Sequence, residues 1–271
     1  MPELPEVETL VRELEPRVTG RRIERVILRW PRSVATPSPH AFAQRIRGQT
    51  IRSLRRRGKF LWFALDQGAL LIHLKMTGRL FLLSRPEPDA HARADFILDD
   101  GRILRFSDVR KFGRLYWVQD PEVILSALGP EPLDPHFGPE DLARQLSGRR
   151  GRLKALLLDQ RVIAGVGNIY ADEALWRARL HPMRPAASLS PAEVRRLWAS
   201  LRAALRAGLR HHGTTIQWYR RPDGKAGAHQ RYLRVYGRAG QPCPRCQTPI
   251  ARLLLQGRST YCCPVCQPPP A

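Results

Sequence analysis

The apolar positions of the chain change their period twice. Between residues 4 and 15, Val7, Leu10, Val11 and Leu14 fall at i, i+3, i+4 and i+7, which predicts an amphipathic helix ending near Pro16 and Gly20. From about 21 to 118 the pattern turns to short β-rich runs at 22–28, 59–65, 69–74, 79–83, 94–98, 103–106 and 115–118. Asp100-Gly101 is a hairpin turn signal between two of them, and short strands separated by turns predict a β-sandwich or barrel-like domain. Five prolines between 121 and 139 disfavour helix interiors and central strands, so a linker is expected there. Beyond it the period is helical, over 139–147, 152–159 and 170–180, with the Gly-rich turn Ala164-Gly165-Val166-Gly167-Asn168 between the last two. Ser190-Pro191-Ala192-Glu193 has a capping-box pattern and opens a long helix whose apolar face is Val194, Leu197, Trp198, Leu201 and Leu205.

The cysteines set the end of the chain. Cys243-x2-Cys246, sixteen residues, then Cys263-x2-Cys266 is the spacing of a four-thiolate zinc ribbon. The competing reading is a pair of disulfides or idle thiols, which a cytosolic protein rarely makes. Four thiolates complete a tetrahedron and leave no open position, so this zinc is expected to be structural. Cys262 alternates to the opposite side of its strand from Cys263 and is read as a non-ligand. The expected architecture is therefore α+β: a β-sandwich with a leading helix (1–120), a linker (121–139), a helical domain (140–235) and a zinc finger (236–271).

Charge narrows the function. The chain has 46 basic against 24 acidic residues, a net charge of +22 spread along its length, and a field of that sign attracts polyanions. An acidic membrane or a merely solvated surface would also suit such a charge. Nucleic acid is favoured because basic residues cluster beside Gly and aromatic residues, as in Arg55-Arg56-Arg57-Gly58-Lys59-Phe60. Only five of the basic residues are Lys, which singles out Lys59 and Lys154 as positions where an amine is wanted. No apolar run is long enough to span a bilayer, and the first residues lack the order of a signal peptide, so a soluble, cytoplasmic protein is expected.

Met1-Pro-Glu-Leu-Pro-Glu-Val-Glu8, Gly129-Pro-Glu-Pro-Leu133, Gly165-Val-Gly-Asn-Ile-Tyr-Ala-Asp-Glu173 and the terminal cysteines, in that order, resemble the formamidopyrimidine-DNA glycosylase family over essentially the whole chain. The resemblance implies a helix-two-turns-helix element in the helical domain and DNA across the cleft between domains. It implies a bifunctional glycosylase and abasic-site lyase of base excision repair. Such an enzyme excises 8-oxoguanine and formamidopyrimidines from duplex DNA through a Schiff base at the N-terminal proline, followed by β,δ-elimination. One structural zinc ion, no organic cofactor, a monomer, double-stranded DNA with oxidised bases or abasic sites as partner, no membrane, and a cytoplasmic, nucleoid-associated location go with it.

The residues can support that chemistry. Without Met1, Pro2 offers a secondary amine, and an α-amino group titrates near pH 8, so part of it is an unprotonated nucleophile in the cell. Attack on C1′ of the damaged nucleotide expels the base and leaves a cationic iminium, an electron sink for strand cleavage. Glu3 is the adjacent acid/base. Met-Pro is also a common processed start, and the case for catalysis rests on Glu3 and the other motifs.

By resemblance, Lys59 is a proton donor near the lesion and Arg258 a zinc-finger arginine serving phosphate binding and the second elimination. Glu6 would support the site, although a charge at a helix N-terminus would suffice to explain it. His73, His91, Arg110, Arg150, Lys154 and Asn168 match positions that touch DNA. An enzyme that must extrude a base also has to fill the hole. Met76 would enter the stack, Phe112 would kink it and Arg110 would read the orphaned base. Lys75 stands where the family usually has Gly, His212 departs from its common double Gly, and Gly224-Lys-Ala-Gly-Ala-His229 lacks its aromatic pair. Two rival readings remain: a relative resembling endonuclease VIII, acting on oxidised pyrimidines, and a zinc protein that binds nucleic acid without catalysis. Leu4-Pro5, Arg110-x-Phe112 and Gly129-Pro-Glu-Pro-Leu133 favour the purine enzyme over the first. The second leaves Pro2-Glu3 unexplained.

Overall fold

A computed structural model describes residues 1–270, which fall into two compact units: Met1–Ser126 with His211–Gln230, and Ala127–Arg210 with Arg231 onward. The first unit opens with helix α1 (Leu4–Val18), followed by β1 (Ile23–Leu28), β2 (Val34–Thr36) and helix α2 (Pro39–Ile46). Strands β3 (Ser53–Arg57), β4 (Phe60–Ala64), β5 (Ala69–His73), β6 (Gly78–Leu83), β7 (Ala92–Leu98), β8 (Ile103–Asp108) and β9 (Arg114–Val118) complete it, with a short helix α3 (Glu122–Leu125). They form a four-stranded sheet, β1-β7-β8-β6, and a five-stranded sheet, β2-β9-β5-β4-β3. Side chains from both sheets share one apolar core with Val7, Leu10 and Leu14 of α1 and Phe42 and Ile46 of α2. The expected sandwich with its leading helix is the fold observed. Asp95 on β7 is one of several buried charges, and the guanidinium groups of Arg105 and Arg29 neutralise it at 2.7–3.0 Å.

All seven strands expected from the apolar pattern are present. The reading missed β3, whose Ser-Leu-Arg-Arg-Arg sequence shows charge where an interior strand would show alternation, and missed β2 and α2 entirely. Helix α1 ends at Val18, between Pro16 and Gly20 as expected, with Pro16 inside its last turn. A proline so near a C-terminus forfeits a single hydrogen bond of the helix, too little to stop it.

The second unit is helical: α4 (Pro139–Leu146), α5 (Leu153–Leu158), α6 (Asn168–Ala178) and α7 (Pro191–Arg210), then the hairpin β10 (Ala251–Leu255) and β11 (Arg258–Cys262). The capping box forms as expected: Ser190 N–H donates to Glu193, and Glu193 N–H donates to Ser190 Oγ. No helix among the described residues is long and apolar enough to cross a membrane.

Two findings depart from the expected organisation. His211–Gln230, expected within the helical domain 140–235, packs with the sandwich, because Tyr219 is buried in that core and Arg221 pairs with Glu13 of α1 at 2.7 Å. Part of the proline-rich stretch expected as a linker is bound to the helical unit. Buried Arg202 of α7 donates to the carbonyls of Pro132 and Asp134 at 2.9 and 2.8 Å, and Trp198 donates to Phe137 O at 2.9 Å. Replacing Arg202 with Leu leaves those carbonyls without donors and is expected to cost about 1–3 kcal/mol, measured as a lower midpoint in urea unfolding at unchanged slope.

Candidate nucleic-acid and catalytic site

The N-terminal residues are fixed before any substrate arrives. Pro2 and Glu3 are buried at the head of α1. Glu6 sits one turn on, and its carboxylate accepts the backbone N–H of Glu3 at 2.8 Å and that of Thr214 at 2.7 Å. Glu6 thus ties the start of the chain to the loop that follows α7. It does more than complement a helix dipole. Lys59 is buried in the turn between β3 and β4, beside His73 at the end of β5. The His73 ring meets Phe60 edge-on at 4.7 Å, and its Nδ1 accepts the Lys75 backbone N–H at 3.0 Å. Burial first, then the positive charges of Lys75 and Lys59, lower the His73 pKa to about 3. His73 is therefore neutral at physiological pH, with its proton on Nε2.

The three expected wedge residues come together at one edge of the sandwich. Met76, between β5 and β6, and Phe112, between β8 and β9, are both exposed apolar side chains. Arg110 bridges them, with Nη1 at 3.2 Å from Met76 Sδ and its guanidinium 4.6 Å from the centre of the Phe112 ring. The reading overlooked what holds them. Asp108 is fully buried and accepts the Thr77 hydroxyl and the backbone N–H groups of Arg110 (3.2 Å) and Gly113 (2.7 Å). Its own N–H donates to the carbonyl of His91, which places that histidine at the same edge. One carboxylate thereby fixes the loops carrying Met76, Arg110 and Phe112.

In the second unit Arg258 is exposed beside a two-residue hairpin turn, Gln256-Gly257, both at positive φ (49° and 73°), the geometry of a type I′ turn. Arg150 is exposed in the loop between α4 and α5. Lys154 corrects the sequence reading: expected to touch phosphate, it is fully buried, paired with Asp172 at 2.7 Å and bonded to Thr260 Oγ1 at 2.8 Å. Asn168 is similarly occupied, its Nδ2 donating to Ser259 O at 2.9 Å. Tyr261 N–H donates to Asp172 at 3.0 Å. Lys154, Asn168 and Asp172 therefore clamp β11, the strand that begins with Arg258. The rarity of lysine in the chain does not reveal that this one takes the interior.

The four expected cysteines converge, with all Sγ atoms within 4.8 Å of one another and adjacent pairs at 3.4–4.0 Å. Four thiolates about 2.3 Å from a zinc ion in a tetrahedron lie roughly 3.8 Å apart, so the set fits one structural zinc. Trp176 of α6 donates Nε1–H to Cys243 Sγ at 3.4 Å. Cys262 lies outside the set, 4.0 Å from His181 Nε2, and burial pushes its thiol up to about 11.

Comparison with known proteins decides the family. Residues 1–115 match the formamidopyrimidine-DNA glycosylase N-terminal domain, 128–220 its H2TH domain, and 240–269 the zinc finger found in FPG and IleRS. The chain belongs to the formamidopyrimidine-DNA glycosylase family. It is 48% identical over 267 residues to the formamidopyrimidine-DNA glycosylase of Geobacillus kaustophilus, covering 96% of this chain and 97% of that one. The same-named protein of Herpetosiphon aurantiacus is 47% identical over 96% of this chain and 97% of its own. Among solved structures, the MutM (Fpg) protein of Thermus thermophilus superposes with a TM-score of 0.89 at 46% identity, covering 98% of both chains. A Lactococcus lactis Fpg mutant bound to Fapy-dG-containing DNA superposes with a TM-score of 0.92 at 34% identity, covering 99% of this chain and 100% of that one.

Two expected outcomes test how this formamidopyrimidine-DNA glycosylase family member holds its loops and its metal. Asp108→Asn keeps a single carbonyl acceptor, so unfolding free energy should fall by about 1–3 kcal/mol. Affinity for an abasic-site duplex, measured by fluorescence anisotropy, should fall more than affinity for an undamaged one. Stripping zinc with a strong chelator removes the tie between the two cysteine pairs. Duplex binding should be lost and should return when zinc is restored.

Proposed function

We propose that this protein is a bifunctional DNA glycosylase and abasic-site lyase of base excision repair, which removes oxidised purines from duplex DNA through a covalent intermediate at Pro2. The observation that carries the reading is the head of α1, where Pro2 and Glu3 are buried side by side in the unit that also buries Lys59. Once Met1 is absent, the Pro2 nitrogen attacks C1′ of the extruded nucleotide. The glycosidic bond breaks, and the base leaves with a proton from an acid, the role assigned to Glu3 or Lys59. Opening of the sugar gives an iminium on Pro2. That cation makes the C2′ proton removable, so the 3′ phosphate leaves first and the 5′ phosphate second. Hydrolysis of the iminium returns the free amine. Arg258 is assigned to the phosphate of the second elimination.

Met76, Arg110 and Phe112 are assigned to the space the base vacates, a role suited to two exposed apolar side chains bridged by a guanidinium. His73, His91 and Arg150 are assigned to phosphates, with His73 giving a neutral Nε2–H donor. Lys154 and Asn168 act at one remove by holding β11. The first residues to about 120 carry the chemistry, and the helical part and zinc finger grip the duplex. Such a substrate places the working protein with chromosomal DNA, in the cytoplasm at the nucleoid.

A second reading has an observation in its favour, since the Lactococcus lactis protein also has a solved complex with oxidised-pyrimidine-containing DNA. Borohydride trapping separates the two. An 8-oxoguanine·cytosine duplex should give a strong adduct that mass spectrometry places on Pro2, and a thymine glycol·adenine duplex a weaker one. Trapping mainly with thymine glycol would move the protein to the pyrimidine side. No adduct with either, from zinc-loaded protein lacking Met1, would leave a binding protein.

A further inference from the structure

The second unit holds a cluster of arginines that the proposed chemistry does not use. Arg177 lies in the last turn of α6, Arg234 in the segment before the zinc finger, and Arg245 in its first cysteine knuckle. Together with Trp176 and the small residues Ala199, Ser200 and Ala203 of α7, they line a cavity of about 480 Å³.

Arg177 is not accounted for by a structural duty. An arginine in a last helical turn ordinarily serves the terminal carbonyls. Those carbonyls are already taken: Arg245 Nη1 donates to Trp176 O at 3.1 Å, and Arg196 Nε donates to Ala178 O at 2.7 Å. The Nε of Arg177 is buried with no hydrogen-bond partner, and no ion pair is formed by its guanidinium among the described residues. Glu173, one turn earlier, is the nearest compensating charge. Its carboxylate is occupied by the backbone N–H groups of Arg234, Val235 and Tyr236 at 2.9–3.1 Å. Burial, then the positive charges of Arg234, Arg210 and Arg245, lower the Arg177 pKa despite Glu173. Arg245 is stacked 4.2 Å over the Trp176 ring, which fixes its guanidinium at the cavity wall.

We propose that this cavity is a second anion site, distinct from the duplex grip, that binds a phosphate-bearing ligand carrying at least two negative charges. A single carboxylate is satisfied by one guanidinium, whereas three planar forks around one space match the several oxygens and higher charge of a phosphomonoester or pyrophosphate. The phosphate can come from a free polyphosphate or from the 5′ end of a nucleic-acid strand.

The test uses zinc-loaded full-length protein saturated with an abasic-analogue duplex, so that the duplex grip is filled. Inorganic pyrophosphate is titrated in and binding followed by calorimetry. One saturable site is expected. Arg177→Gln and, separately, Arg234→Gln should each weaken it by about tenfold, with zinc content and duplex affinity unchanged. A short single strand bearing a 5′ phosphate, compared with its unphosphorylated twin, then identifies the source: competition by the phosphorylated strand alone indicates a strand end, and its absence a free polyphosphate. No saturable binding to the duplex-bound protein, or equal binding by both variants, would overturn the proposal. Failure to bind the duplex at all would instead count against the repair reading, and pyrophosphate could then be titrated on the free protein with the same two variants.

Discussion

Asp108 accepts hydrogen bonds from the Thr77 hydroxyl and from two backbone N–H groups in a neighbouring loop, all inside the protein. The same arrangement recurs at Glu6, Asp172 and Glu173. Glu6 takes the N–H groups of Glu3 and Thr214, and Asp172 takes that of Tyr261 while pairing with Lys154. Glu173 takes three in a row, from Arg234 to Tyr236. A protein with nearly twice as many basic as acidic residues must keep many cations outside for a polyanion. Its few acids are therefore the groups available to organise loops from within.

A buried carboxylate suits this task because it only accepts, and loop backbones have N–H groups to donate. The desolvation it suffers is offset by hydrogen bonds to its charged form. Where burial outweighs those bonds, the imbalance is visible: burial pushes Asp172 up to about 7 against the pull of Lys154, and raises Glu173 despite its three backbone donors. Removing one partner from such a pair is far costlier than replacing both, since the survivor is left charged and dry. Lys154 therefore serves the β10–β11 hairpin from inside. Its amine fixes the strand whose first residue, Arg258, is the one exposed.

The period of apolar residues revealed most elements of the fold, because α1 and α7 bury one face, β4 and β9 bury alternate positions, and β5, β7 and β8 are short runs buried nearly throughout. It failed where burial leaves no such pattern. β3 reads Ser-Leu-Arg-Arg-Arg, and its charges lie along a sheet edge instead of alternating with apolar partners. His211–Gln230 has no period at all, so Tyr219's insertion into the sandwich core was invisible, as was the loop's allegiance to the other unit. At the site, spacing located the cysteines, since four thiolates around one ion constrain sequence directly. Motif resemblance picked out Pro2, Glu3 and the wedge residues. Neither identified Asp108, whose partners are backbone groups supplied by tertiary structure, and neither could assign Lys154 to the interior.

Lys75 and Lys111 show how this internal organisation bears on the proposed chemistry. Both lie in left-handed backbone, at φ 52° and 59°, one in each loop that carries wedge residues. A non-glycine residue there costs on the order of 1–2 kcal/mol, so each must be held by a neighbour. Lys75 N–H donates to His73 Nδ1, and the Lys111 ammonium sits 4.1 Å over the Trp30 ring. The first tie exists only while His73 Nδ1 is unprotonated, a condition that its pKa near 3 maintains throughout the physiological range. Glycine at position 75 would relieve the strain but release the chain to many conformations. Lysine with a fixed tie gives a loop already shaped before it meets the duplex, so the insertion proposed for Met76 would need less ordering entropy to be supplied.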